Sequence, residues 1–322
     1  VELVFLGTGA GMPSKERNVT AIALQLNAER GSFWLFDCGE GTQHQIMHSS
    51  VKLGKLEKIF ITHLHGDHLY GLPGLLTSRS YQGGDTPLTL IGPPGVRAFL
   101  ETALQVSQAH LEYELIIEEL DVDEQGQVKG DGRIFEDDHF VVEAALLEHR
   151  IESYGYRICE KDKPGRLLTE KLEAEGLKPG PLYARFKKEA SIALENGRIL
   201  QSADYLSEPI PGRIVAILGD TRLCEGSKRL ARNADVLVHE ATFAKAEADL
   251  AHRYYHATSD QAARLAVECG AGCLIMTHFS SRYKGDEIEQ LVEEAREHLT
   301  HAYAARDHWT YVIPRKIDPK NV

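Results

Sequence analysis

The 322-residue chain is 43% hydrophobic, 26% charged and 7% aromatic, a globular composition suited to about two domains, or to one large α/β domain with an insertion. No apolar run approaches the roughly 18 residues of a membrane span. The net charge of −12 speaks against nucleic acid as a partner of the whole chain, because such domains usually carry a basic footprint, so any such reading must rest on local patches.

The opening "VELVFLGTGAGMP" reads as a first strand rather than a signal peptide, having neither a basic lead nor a long apolar stretch. "TAIALQL", "SFWLFDCG", "KIFITH" and "PLTLIGP" follow as strand-length runs rich in Val, Ile, Phe and Leu. "GTQHQIMHSS" and "VRAFLETALQV" between them read as helices. The second half repeats the theme, with "HFVVEAALLEH", "GRIVAILGD", "ADVLVHEA" and "GCLIMTH" as strands and "SDQAARLAVECG" and "DEIEQLVEEAREHL" as helices. This alternation predicts an α/β fold of two packed sheets with helices outside. Residues 157–208 are polar and punctuated by Pro and Gly, which predicts a projecting insertion in a body made of 1–156 and 209–322. Five cysteines, an odd number with scattered spacing, predict reduced thiols and a cytoplasmic setting.

The stretch "THLHGDHLYG" (62–71) places three histidines and an aspartate within six positions. Neutral imidazoles and carboxylates suit divalent zinc. His63 and His65, two apart in an extended segment, can face one ion. Asp67 and His68, where a helix could begin, are placed to face another. A surface loop has no reason to gather groups that repel when protonated. Four ligands rarely suffice for two ions, and further ligands are expected where other apolar strands end. His149, Asp220 and His278 share that setting; His239 does too, so the criterion over-collects.

H-x-H-x-D-H followed by strand-end His, Asp and His resembles the metallo-β-lactamase superfamily. The resemblance implies an αβ/βα sandwich and two Zn²⁺ per subunit. It implies that His63, His65 and His149 hold one zinc, that Asp67, His68 and His278 hold the second, and that Asp220 bridges them. The chemistry such a site serves is hydrolysis at a phosphoryl or acyl centre.

Further motifs narrow the resemblance. Pro13, Lys15, Arg17 and Asn18 in "GMPSKERN" match the P-x-K-x-R-N loop of the ribonuclease Z family. "VHEATF" (238–243) and "YYHATSDQAA" (254–263) resemble two later motifs of that family. The 157–208 segment with "PGPLYARFKK" resembles its flexible tRNA-binding arm. This implies a homodimeric endoribonuclease that cuts precursor tRNA after the discriminator nucleotide, leaving a 3′-hydroxyl on the tRNA and a 5′-phosphate on the trailer. Glu240 would orient His256, the proton donor to the departing 3′ oxygen. Asp67 would accept a proton from the attacking water, a pure ligand role being the alternative. Ala257 departs from the serine usual in the family.

Lys15, Arg17, Asn18 and Arg282 are candidate RNA contacts, although Lys15 and Arg17 in isolation would be solvated surface charges. Lys178, Arg185, Lys187 and Lys188 form a basic stretch with no acid among them, suited to salt-sensitive phosphate contacts. Tyr183 and Phe186, interleaved with them, are placed to stack or pack on nucleic acid. "LYGLPGLLTSRSYQG" is either a dimer interface or internal core. The alternative function is a small-molecule phosphodiesterase or lactonase of the same superfamily, which the acidic charge suits and which needs no basic projection.

Overall fold

The computed structural model describes residues 1–315; residues 316–322, assigned above to the main body, lie outside the described residues. Two compact units appear, one of Val1–Cys159 with Ile214–Ile313, the other of Glu160–Arg213 with Pro314 and Arg315.

The first unit holds two seven-stranded sheets. The first sheet contains β1 (Glu2–Gly7), β2 (Ala21–Leu26), β3 (Ser32–Phe36), β4 (Leu56–Phe60), β5 (Leu88–Gly92) and β6 (Leu115–Glu119). The second contains β7 (Arg133–Glu136), β8 (Phe140–Leu147) and β9 (Ser153–Glu160). After a small hairpin in the second unit, β10 (Ser191–Ala193) and β11 (Ile199–Gln201), the chain returns to it with β12 (Ile214–Leu218), β13 (Val236–Glu240), β14 (Leu274–Thr277) and β15 (Ala302–Ala304). A last strand, β16 (Thr310–Val312), closes the first sheet beside β1.

Alternation along each strand explains why the runs are apolar throughout. Leu3, Phe5, Ile22, Leu24, Trp34 and Phe36 face the second sheet and meet Phe140, Val142, Tyr154, Tyr156, Val215 and Val238 in one core. The intervening Val4, Leu6, Ala21, Ala23, Phe33 and Leu35 face outward under helices. Helices at Glu225–Ala231, Ser259–Glu268 and Asp286–Arg296 cover the other outer face with Leu230, Ala262, Ala266, Leu291 and Val292. The result is the helix–sheet–sheet–helix sandwich that the alternation predicts. The helix Leu72–Tyr81 turns Leu72, Leu75, Leu76 and Arg79 into the first outer core, so its apolar face is interior.

Two boundaries differ from the sequence reading. Residues 157–159, placed in the insertion, belong to β9, where Ile158 is buried between the sheets; residues 209–213 fall with the second unit instead. The second unit has its own small core of Leu172, Phe186, Ile192, Leu200 and Tyr205.

Candidate metal centre

β12, β13 and β14 run parallel, so their C-terminal ends open at one edge, where α/β sheets bind ligands. Asp220 follows β12, Glu240 ends β13 and His278 follows β14. His149 lies just beyond β8, and His63, His65, Asp67 and His68 follow β4 of the other sheet. Gly219 is needed at this convergence, because a Cβ there would lie 2.6 Å from the side chain of Thr62.

The seven side chains converge. His65 Nδ1 is 3.1 Å from His63 Nε2 and 3.2 Å from His149 Nε2. His278 Nε2 is 3.3 Å from both His68 Nε2 and Asp67 Oδ2. Asp220 reaches each set: its Oδ2 lies 3.7 Å from His63 Nε2 and 3.3 Å from His278 Nε2, and its Oδ1 lies 3.5 Å from His68 Nε2. Two triads that could each hold a metal ion, His63–His65–His149 and Asp67–His68–His278, therefore share one aspartate.

Hydrogen bonds behind the rings fix which nitrogen faces inward. Tyr255 C=O and the Asp37 carboxylate can only accept, so His149 Nδ1–H donates to the first at 2.9 Å and His68 Nδ1–H to the second at 2.7 Å. Thr62 Oγ1 donates to Asp37 at 2.8 Å and so accepts from His63 Nδ1 at 2.9 Å. Thr242 Oγ1 donates to Glu240 Oε2 at 2.6 Å and accepts from His278 Nδ1 at 3.0 Å. In its neutral form each of these rings turns a bare Nε2 toward its neighbours. Facing lone pairs with no proton between them suit a divalent cation. Burial pushes the imidazoles of His63, His65 and His149 below their ordinary value, keeping them in the neutral form that ligates. Asp37, Asp220 and Glu240 are each buried, and buried carboxylates require cationic compensation. The donor set fits bound metal.

Beside this cluster, Glu240 Oε1 meets His256 Nδ1 at 2.7 Å. Thr221 N at 2.9 Å, Ala257 N at 3.1 Å and the Thr242 hydroxyl also donate to the same carboxylate. Burial lowers the affinity of His256 for a proton, but Glu240 outweighs it and holds the imidazole at about 9. His239, the surplus strand-end candidate, turns Nδ1 onto the Glu240 carbonyl at 2.7 Å. His278 and Asp37 adopt left-handed backbone, φ 57° and 58°, a conformation that non-glycine residues rarely take outside constrained sites.

The glycine-rich loop joins the cluster through Gly11 N, which donates to Asp67 Oδ2 at 2.8 Å. Lys15 is exposed on it. Arg17 is turned inward, donating to Thr8 Oγ1 at 2.6 Å and Ala305 O at 2.7 Å while lying over the Phe279 ring. Asn18 donates from its side chain to Glu40 O at 2.9 Å and from its backbone to Asp307 at 2.6 Å. The structure thus uses Arg17 and Asn18 to shape the loop. Arg282 pairs with Glu247 at 2.7 Å and covers the Phe243 ring.

In the second unit Lys178, Lys187 and Lys188 are exposed, whereas Arg185 pairs with Glu189 at 2.7 Å, one residue past the acid-free stretch. Phe186 corrects the sequence reading: it is 1% exposed and packs on Tyr205, because the small unit has few other apolar groups. Tyr183 joins the same core and donates its hydroxyl to Leu177 O.

Sequence reasoning missed Asp37, which besides His68 accepts Thr62 N at 2.7 Å. The signal was present, since Asp37 ends the apolar run "SFWLF". Its approach needs Gly39, where a Cβ would lie 2.3 Å from the carbonyl oxygen of Asp67. Thr62, Thr242 and the Tyr255 carbonyl carry no such signal.

A family model described as anti-Pycsar protein Apyc1 matches residues 1–156. Curated proteins named ribonuclease Z are 54% identical over 98% of the chain and 100% of their own length in Bacillus licheniformis and Geobacillus kaustophilus. Among solved structures, human tRNase Z, short form, is 33% identical with TM-score 0.71, covering 98% of this chain and all of its own. The Bacillus subtilis metallo-β-lactamase fold protein YhfI, 17% identical with TM-score 0.64 over 96% of this chain and 98% of its own, shares the fold. The apolar sandwich, the shared-aspartate cluster and the near full-length identity lead to one assignment: the chain belongs to the ribonuclease Z family.

Proposed function

We propose that the chain is a metal-dependent tRNA 3′ endonuclease, a phosphodiester hydrolase that cuts precursor tRNA after the discriminator nucleotide and leaves a 3′-hydroxyl on the tRNA and a 5′-phosphate on the trailer. The names of its relatives, ribonuclease Z and tRNase Z, support the substrate. The observation that carries the chemistry is the pair of ligand triads sharing Asp220 beside the Glu240–His256 couple.

His63, His65 and His149 would hold one ion and Asp67, His68 and His278 the other, with Asp220 between them; nitrogen-rich ligation with carboxylates suits Zn²⁺. Bound there, the ions would supply Lewis acidity toward the phosphate and lower the pKa of a water. Asp67, oriented by Gly11 N–H, takes the proton of the attacking water. His256 has Nδ1 committed to Glu240, so Nε2 is the atom that delivers a proton to the departing 3′ oxygen. Lys15 at the loop and Lys178, Lys187 and Lys188 of Glu160–Arg213 meet tRNA phosphates; Arg17 and Asn18 serve by holding that loop in shape, and Arg185 and Arg282, already paired, add weaker contacts. Homodimerisation and a cytoplasmic setting belong to the same reading. Among the described residues no helix is long and apolar enough to cross a membrane.

The test is incubation with a 3′-extended tRNA transcript and mapping of the cut to the nucleotide. A single cut after the discriminator, lost with chelator and restored by Zn²⁺, is the expected result. Turnover of bis-p-nitrophenyl phosphate without any cut in the transcript overturns the RNA assignment in favour of a small-molecule hydrolase.

A further inference from the structure

The cavity over the ligand cluster, about 250 Å³, has one Lys or Arg in its lining, Arg150. Its guanidinium lies 4.7 Å over the ring of Tyr254, which is itself 41% exposed and lines the same cavity. Two other arginines of this region are paired, Arg222 with Glu148 and Arg282 with Glu247. Among the described residues Arg150 has no carboxylate partner. Stacking on an aromatic face holds a guanidinium without consuming its N–H groups. Arg150 therefore presents its donor fork, braced and charged, at the mouth of an otherwise acidic protein's catalytic cleft. A planar fork of this kind matches phosphate oxygens.

Position selects which phosphate. Arg150 directly follows His149, whose ring lies 5.0 Å from that of His256. Tyr254 ends the helix Ala248–Tyr254, two residues before His256. On the reading above, His256 serves the departing 3′ oxygen, so this wall flanks the nucleotide that keeps that oxygen. We infer that Arg150, positioned by Tyr254, grips the phosphate on the 5′ side of the last retained nucleotide. It thereby fixes which phosphodiester bond reaches the ligand cluster. The inference rests on the tRNA endonuclease reading.

The test is a thermodynamic cycle using a 3′-extended tRNA whose scissile linkage is a non-cleavable phosphonate and in which that one phosphate is either natural or a neutral methylphosphonate, with equilibrium binding read by fluorescence anisotropy in the metal-loaded protein. The methylphosphonate should weaken wild-type binding about tenfold, the scale of a charge-assisted contact. Arg150→Ala should weaken binding of the natural RNA by a similar factor and be insensitive to the modification. Arg150→Lys should recover part of the loss, and Tyr254→Ala should lose part of it while Tyr254→Phe retains it. Unchanged melting temperatures identify these as contact effects rather than misfolding. If the losses from Arg150→Ala and the methylphosphonate instead multiply, the two groups act apart and the inference falls. If wild-type protein neither binds nor cuts the natural transcript, the endonuclease reading fails first and this contact with it.

Discussion

The Glu240 carboxylate and the His256 imidazole are joined at 2.7 Å, with Thr221 N, Ala257 N and the Thr242 hydroxyl completing the carboxylate's shell. A carboxylate so fully held acts as a fixed orienter of the ring. Glu240→Gln and His256→Ala should each lower kcat on 3′-extended tRNA roughly 10²-fold or more, within the range of general acid catalysis, with little change in KM. A change in KM alone would assign the couple to binding. The backbone of Ala257 already supplies its donor, so Ala257→Ser should change kcat by less than about threefold.

Asp220 reaches both candidate triads, whereas the Asp37 carboxylate bonds His68 and Thr62. Asp220→Ala should therefore lower the metal content of purified protein, measured by plasma mass spectrometry against the wild type. Asp37→Asn should retain the sites but weaken metal affinity about 10–100-fold, as loss of an outer partner does. Equal stoichiometric loss in both variants would contradict this division of roles.

Phe186 and its basic neighbours should separate cleanly. Phe186→Ala opens the small core of the second unit and should cost about 3–5 kcal/mol locally, seen as faster amide exchange across Glu160–Arg213. Lys187→Ala and Lys188→Ala should leave exchange unchanged while each lowers the salt slope of tRNA binding by about 1. Arg185→Ala should have the smaller effect on that slope, because Glu189 already offsets its charge.

Glu160, buried in the second unit, has a pH consequence. Burial raises its carboxyl, but Arg213 and Arg315 outweigh burial and hold it at about 2 against an ordinary 4.5. A lowered carboxyl contributes stability fully above its unfolded value and loses it as pH falls toward the folded one. Amide exchange of Glu160–Arg213, corrected for intrinsic rate, should accelerate between about pH 4.5 and 2, and Glu160→Gln should already be accelerated at neutral pH. No difference between the two proteins across that window would remove Glu160 as the cause.

Much of the sandwich is legible along the chain because β1, β2, β3, β12 and β13 are buried on both faces and so read as unbroken apolar runs. β9 escapes that reading: "SYGYRICE" is interrupted by Gly155 and by Arg157, whose guanidinium reaches Leu230 O and Arg232 O at 2.7 Å. The core of the second unit escapes it too, since Leu172, Phe186, Ile192, Leu200 and Tyr205 are too sparse to set a period. Phe186 among lysines looked like a stacking residue because local composition does not report which side a ring faces.

The sequence by itself determined the candidate ligand types, their order and the local cluster 63–68, because ligation depends on side-chain chemistry and short spacing. It also carried the family motifs, which are linear patterns. Only the tertiary structure decided that Asp220 sits between two triads, that Asp37, Thr62, Thr242 and the Tyr255 carbonyl orient the imidazoles, and that Arg17 faces inward while Arg150 faces the cleft. Those relations join residues that are far apart in the chain or hinge on the direction of a ring or guanidinium. Direction is set by packing and by hydrogen bonds closed across the fold, and a one-dimensional pattern does not encode it.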